Sequence, residues 1–273
     1  MVNRSVKSRK EPFSKKASTS IWKEDADESN PYLVSKTHLR GYSFDEITEQ
    51  CDFIDTFYLL FLGDLPNKNQ KQLLQLLLTT FISPSPRHPA SRSAMSLGGG
   101  KTFPQHILPA SLGIAGGEYL GGRQVQLCMH FIQNNYQTLP KKWLEEQQAT
   151  LALADKLLLA EGRIIYGFGQ QYGDVDPYAT RLANKFLGKS FSGPHLTWCA
   201  ELVDGLKLYD IGWLQTGIVA AVLCDLGFPA YAGAGLFQLI QAPGLLAHGL
   251  EAYPKSRTEF PFVSDEDYHI VDT

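Results

Sequence analysis

Apolar positions along this chain recur mostly at helical spacing. Phe44, Ile47, Ile54, Phe57, Tyr58 and Phe61 predict a helix that opens at Ser43 and ends at Gly63-Asp64-Leu65-Pro66. Ser43 with Glu46 three residues on is the capping-box pattern. Asn67 opens a second helix, with Leu73, Leu74, Leu76, Leu77 and Leu78 on one apolar face, and Ser83-Pro84-Ser85-Pro86 interrupts the pattern. Helical periods resume over residues 91–97, 106–118, 123–135, 143–161, 177–186, 196–208, 217–226 and 235–253. Strand signals are few, apart from a β-prone Tyr-Leu-Val that predicts a short strand or hairpin within 32–40. The expected fold class is therefore all-α. Residues 1–30 are polar with little to bury, and they predict a loose basic arm.

Two stretches depart from amphipathic patterning. Residues 218–223 and 236–240 carry no charge and are apolar on every side, which suits the middle of a large core or a subunit interface. Five glycines between 113 and 122 fit either tight helix packing or a ligand-facing loop. His130, on an apolar helical stretch, reads as a core histidine.

Charge and cysteines narrow the function classes. With 273 residues and a formal net charge of −3, the chain can bury a sizeable core and lacks the electrostatic footprint of a nucleic-acid binder. The four cysteines (Cys51, Cys128, Cys199, Cys224) form no CxxC pair, against a zinc site or disulfide framework and in favour of reduced thiols in a cytoplasmic protein. No apolar run approaches the roughly 18 residues of a membrane span. Asp174 and Asp176 lack the further ligands a metal needs, so no metal is expected. Gly98-Gly99-Gly100-Lys101-Thr102 resembles the end of a phosphate loop, but position 95 is Met95 where that loop needs glycine.

The candidate chemistry centres on Tyr166-Gly167-Phe168-Gly169-Gln170-Gln171-Tyr172-Gly173 with Asp176-Pro177 behind it. This is a glycine loop delivering two amides ahead of a helix. Five segments in consistent order resemble the citrate synthase superfamily, nearest to the short citryl-CoA lyase type. They are Phe44 to Pro66, Pro86 to Arg92, Tyr166 to Pro177, Leu223-Cys224-Asp225-Leu226-Gly227-Phe228-Pro229, and Leu236 to Glu251. The resemblance implies a homodimer with a cleft between a large helical domain (31–160 and 217–273) and a smaller one (161–216). The cleft would take an acyl-CoA and a carboxylate partner.

The same resemblance places Leu120 and Gln170 where the family has two histidines, Thr216 where it has an aspartate, and Gln241 where an arginine grips a carboxylate. Phe260 falls at a later family arginine, whereas Arg92, His248 and Glu251 survive. Leucine offers no donor, threonine is no base near neutral pH, and glutamine donates without exchanging a proton. A di- or tricarboxylate facing Gln241 would be desolvated without its cation, at about several kcal/mol per ion. The expectation is a cleft retuned for a neutral small molecule or CoA thioester, with no other cofactor assigned. Gln170, Gln171, Tyr172 and Thr216 would be its catalytic hydrogen-bonding groups. Leu120, Phe168, Gly169, Gln241, Arg92, His88 and Phe260 would line the substrate site. The readings left open are an enzyme making, breaking or cyclising C–C bonds, an inactive ligand- or partner-binding relative, and ordinary citryl-CoA-type activity through a displaced His88 or His106.

Overall fold

The computed structural model describes residue 10, residues 17–261, and residues 264, 266–269 and 271. Residues 1–9 and 11–16 of the expected arm lie outside these. The chain divides into two units, Met1–Lys71 and Gln72–Thr273; residues 161–216 fall within the second.

The first unit holds a small antiparallel sheet of β1 (Trp22–Ala26), β2 (Val34–Leu39) and β3 (Tyr42–Ser43). The polar stretch 1–30, expected as a loose arm, thus supplies a strand at 22–26. β2 falls within the predicted 32–40 segment and gives β1 a partner, with Trp22 opposite Leu39. The Trp22 ring meets Phe44 edge-on at 4.9 Å. The helix predicted from Ser43 is two, α1 (Phe44–Gln50) and α2 (Phe53–Leu62). Ser43 makes no side-chain cap bond. The capping box forms instead at Asp52 and Asp55, whose side chains exchange bonds with each other's backbone N–H and restart the helix. Leu39, Ile47 and Leu59 form the local core.

Helices make up the second unit. After α3 (Lys68–Thr80) come α4 (Pro89–Gly99), α5 (Pro104–Ala115), α6 (Gly122–Asn135), α7 (Pro140–Ala152) and the short α8 (Lys156–Ala160). The single period read over 143–161 breaks before α8, where Asp155 caps the new helix by accepting from Leu157 and Leu158 N–H. A two-residue β4 (Phe168–Gly169) pairs antiparallel with β5 (Gly212–Trp213) across α9 (Pro177–Leu187) and α10 (Pro194–Leu206). The unit closes with α11 (Gln215–Asp225) and α12 (Gly233–Ala252).

The uncharged helix α11 is the core. Every residue from Thr216 to Cys224 is buried, and α11 packs between α6 and α10. Its apolar surface is covered by its own chain, so the choice between core and subunit interface falls to core at 218–224. α12 lies across α4, α5 and α6. Asp225, at the end of α11, has its carboxylate buried and accepts from the backbone N–H of His195 (2.7 Å) and Leu196 (3.1 Å) and from His195 Nδ1 (2.9 Å). It caps α10 from another helix, where Gly193 has no side chain to do so. His130, expected in the core, is exposed: α6 turns Cys128 and Met129 inward and the next position outward.

Candidate functional site

Four segments of the second unit meet at one small chamber. The first is the proline-rich approach to α4, which ends at His88. Pro89 occupies the first helical position, where a missing N–H costs nothing, and His88 Nδ1 accepts the Ala90 N–H at 3.1 Å. The second is the link between α5 and α6, bringing Tyr119 and Leu120. Gly121 and Gly122 are needed here, because a Cβ would fall 2.3 Å from Gly117 O in one and 2.6 Å from Ala234 O in the other. That close approach leaves Leu120 to make the turn at φ 51. The third is the loop after β4, with Gln171 and with Tyr172 at φ 57. The fourth is the pair α11 and α12, which present Gln215, Phe237 and Gln241. A non-glycine residue held left-handed costs about 1–3 kcal/mol, and such residues gather where a loop must hold one shape. Leu120 and Tyr172 both line this chamber.

The chamber's volume is about 60 Å³. At 10–15 Å³ per water centre, that is room for roughly four to six water-sized groups. Arg87 and Tyr172 line it and also a wider cavity of about 820 Å³, bounded further by Pro86, Arg92, Met95 and Phe260.

His88 is committed at both ring nitrogens. Since Nδ1 accepts from Ala90, the ring proton is on Nε2, which donates to Leu120 O at 3.3 Å. Burial pushes its pKa below the ordinary value, and the bond to Leu120 offsets only part of that. Taking a proton at Nδ1 would break the cap on α4. His88 is thus a neutral strut that holds Leu120 in its left-handed turn, and it is poorly placed as a displaced acid or base. His106 is exposed on α5 and does not line the chamber.

No Asp or Glu lines the chamber among the described residues. Its polar groups are mainly amides and phenols. Gln171 and Gln215 are half-buried, while Tyr119 and Tyr172 stand at the exposed rim. Burial raises the Tyr119 pKa, so its hydroxyl remains a donor. Gln241 is 4 % exposed, and its Oε1 is buried without a hydrogen-bond partner. An orphaned acceptor of this kind costs about 1–3 kcal/mol.

The chamber gathers five of the residues singled out from sequence: Gln171, Tyr172, Leu120, Gln241 and His88. Arg92 and Phe260 line the wider cavity, with the tip of the Phe260 ring where a side chain on Gly99 would be. The other four go elsewhere. Phe168 and Gly169 are buried in β4, and the Phe168 ring lies tilted at 50° to Trp213. Gln170 follows β4 outside the strand, and Gln171 turns back through a single bridge to Asp174. Gln170 turns from the chamber: its N–H bonds Ala160 O (2.6 Å), its Nε2 donates to Asp210 O (3.0 Å), and it lines a separate cavity with those two residues.

Thr216 is fully buried, donating at 2.7 Å to Gln124 Oε1, while Gln124 Nε2 donates to Glu161 O and Gly162 O. Gly217 sits so near Gly167 that a Cβ would fall 2.1 Å from its carbonyl oxygen, and this seats Thr216 in the core. Tyr119, Gln215, Phe237 and Arg87 are liners that sequence reasoning missed. Phe237 stands one helical turn before Gln241, and Gln215 and Tyr119 are chain neighbours of Thr216 and Leu120. Those spacings were the available signals.

Chemistry elsewhere is closed off. Burial holds the Cys128 and Cys199 thiols well above their usual range and pushes Cys224 up to about 12, so none of these three is a ready nucleophile. Asp174 and Asp176 are spent on backbone N–H groups, the latter capping α9. No cluster of three metal-ligating side chains exists among the described residues. No described helix is long and apolar enough to cross a membrane.

No protein-family model matches the chain. Solved structures do. Citryl-CoA lyase from Hydrogenobacter thermophilus superposes with a TM-score of 0.75 at 21% identity, over 94% of this chain and 95% of that one. ATP citrate lyase from Methanothrix soehngenii, determined with citrate and coenzyme A, gives 0.71 at 14% identity over 97% of this chain and 43% of that chain. Citrate synthase from Thermoplasma acidophilum gives 0.57 at 17% identity, over 81% and 58%. The fold is citrate-synthase-like. The likeness to the citryl-CoA lyase runs almost from end to end of both chains, as expected from the ordered motifs.

Proposed function

We propose that this protein is an enzyme of citrate-synthase-like fold that makes, breaks or cyclises C–C bonds on a neutral or thioester-borne intermediate. The observation that carries the reading is the set of neutral hydrogen-bonding groups in one small chamber, whose charged liner among the described residues, Arg87, is exposed and shared with the wider cavity. Gln171, Gln215, Gln241, Tyr119 and Tyr172 stand there with no carboxylate among the described liners. Such groups polarise and orient a carbonyl without proton exchange, and preorganised dipoles and positioning supply large rate accelerations. The reacting end would enter the chamber. An anionic carrier such as coenzyme A would lie in the wider cavity beside Arg87 and Arg92. Citrate and oxaloacetate would be poor ligands, because Gln241 gives their carboxylates no cation.

A second reading is an inactive relative that binds its ligand without turning it over. The commitment of both His88 nitrogens favours it, since the chamber then holds no free imidazole.

Untargeted mass spectrometry of compounds released from the purified protein tests both, followed by incubation with whatever is recovered. A neutral compound or CoA thioester that changes its carbon skeleton on incubation supports the enzyme, and one that persists unchanged supports the binder. A thiol-release assay with acetyl-CoA and oxaloacetate should show no turnover. A rate within about tenfold of an authentic citrate synthase would overturn the neutral-chamber reading.

A further inference from the structure

We propose that the cavity lined by Gln170 is a second small-molecule site, and that it takes a zwitterionic α-amino acid with an aliphatic side chain. The site is separate from the chamber and independent of the function proposed there.

This third cavity has a volume of about 390 Å³, within the range of roughly 300–1,000 Å³ usual for small-molecule sites. The end of α7, the helix α8, the residue after β4 and the turn before β5 enclose it. Leu151, Leu159 and Ile211 are buried in its wall and supply an aliphatic surface.

Two opposite charges, Lys156 and Asp210, line the same space. Both residues are exposed. Neither side chain has a hydrogen-bond or ion-pair partner among the described residues, and the two do not pair with each other. Charges close by in the chain are already taken: Lys207 pairs with Asp204 at 2.6 Å, Arg163 with Glu161 at 3.6 Å, and Asp155 accepts from the Leu157 and Leu158 N–H groups. Asp210 is held in place. Its backbone is left-handed at φ 55, its N–H donates to Lys207 O at 3.1 Å, and its carbonyl accepts from Gln170 Nε2 at 3.0 Å. Lys156 carries its charge on a flexible stem and can follow a ligand's carboxylate.

The two charges decide the ligand class. An anion would gain Lys156 but face Asp210, and a cation would gain Asp210 but face Lys156. A zwitterion gains both, with its ammonium at Asp210 and its carboxylate at Lys156, while the aliphatic wall takes its side chain. Water reaches both charges, so the pairs are screened and the expected affinity is modest, about 0.1–1 mM.

Ligand-observed NMR titrations with L-leucine, 4-methylpentanoate and 3-methylbutylamine test the assignment. The last two are leucine without its ammonium and without its carboxylate. Leucine should bind at least about fivefold more tightly than either. Asp210→Asn tolerates the left-handed turn; it should weaken leucine binding about fivefold and leave 4-methylpentanoate binding unchanged or tighter. Lys156→Gln should weaken binding of leucine and 4-methylpentanoate alike and leave 3-methylbutylamine unchanged or tighter. Both side chains are exposed, so both variants should melt near the wild-type temperature. Absence of leucine binding, a half-ligand that binds as tightly as leucine, or a folded Asp210→Asn or Lys156→Gln variant with full leucine affinity would each overturn the site.

Discussion

Two buried amides, Gln124 on α6 and Gln241 on α12, stand in opposite conditions. The Gln124 oxygen accepts from Thr216 at 2.7 Å, and its nitrogen donates to Glu161 O at 3.0 Å and Gly162 O at 3.2 Å. It ties three separate segments together and has nothing left for a ligand. Gln241 is nearly as buried, yet its oxygen has no partner. Burial and residue type are the same; satisfaction differs. A fully bonded buried amide is scaffold, whereas an orphaned one beside a cavity costs stability that a ligand can return. Thr216, expected as a catalytic group, is on the scaffold side of that line.

The largest effect should come from attacking the satisfied amide. Gln124→Ala strands the Thr216 hydroxyl and two backbone carbonyls and leaves a void, so it should cost about 3 kcal/mol. A denaturant titration reads it; a loss under about 1 kcal/mol would mean the network is not the tie described here. Gln241→Leu should leave stability unchanged or raised, and that opposition of sign is the sharpest check on the comparison.

Next come the neighbours Gln170 and Gln171, which line different cavities. Gln170→Ala loses the bond to Asp210 O and should cost about 1 kcal/mol while leaving binding at the chamber intact. Gln171→Ala should shift stability by no more than about 0.5 kcal/mol and weaken the chamber's ligand by about tenfold. Paired measurements of melting and of binding of the compound recovered from the purified protein decide it, and a reversed pattern would return Gln170 to the site.

The smallest effect is in pH. The folded protein holds His88 below its ordinary pKa of 6.5, so the unfolded chain binds the proton more readily. The contribution is fully present above pH 6.5 and is lost as pH falls from there through the lowered folded value. His88→Asn keeps a good N-cap and removes the titration. Melting curves between pH 7.5 and 5 should therefore fall less steeply for the variant than for the wild type; parallel curves would show that His88 does not titrate as described.

Much of the second unit was legible because its signals are local. Helical spacing marks α3 to α6 and α9 to α12 to within a few residues, and the uncharged run in α11 announced a helix enclosed on all sides. The restarts at Asp52 and Asp155 were also written in the chain, as capping residues, but continuous apolar periods ran across them.

What tertiary structure alone decided is which way neighbouring residues face. Gln170 and Gln171 are both glutamine, and Gln215 and Thr216 are both polar residues at the head of one helix. Composition cannot tell them apart. The pairing of β4 with β5 and the contact of Gly217 with Gly167 set one of each pair toward the chamber and the other away from it. The β1–β2 pairing is of the same kind, since a polar strand forms only when a partner satisfies its backbone. So is the unpaired oxygen of Gln241: a hydrogen bond that is not made depends on every element packed around it, and no local pattern along the sequence records it.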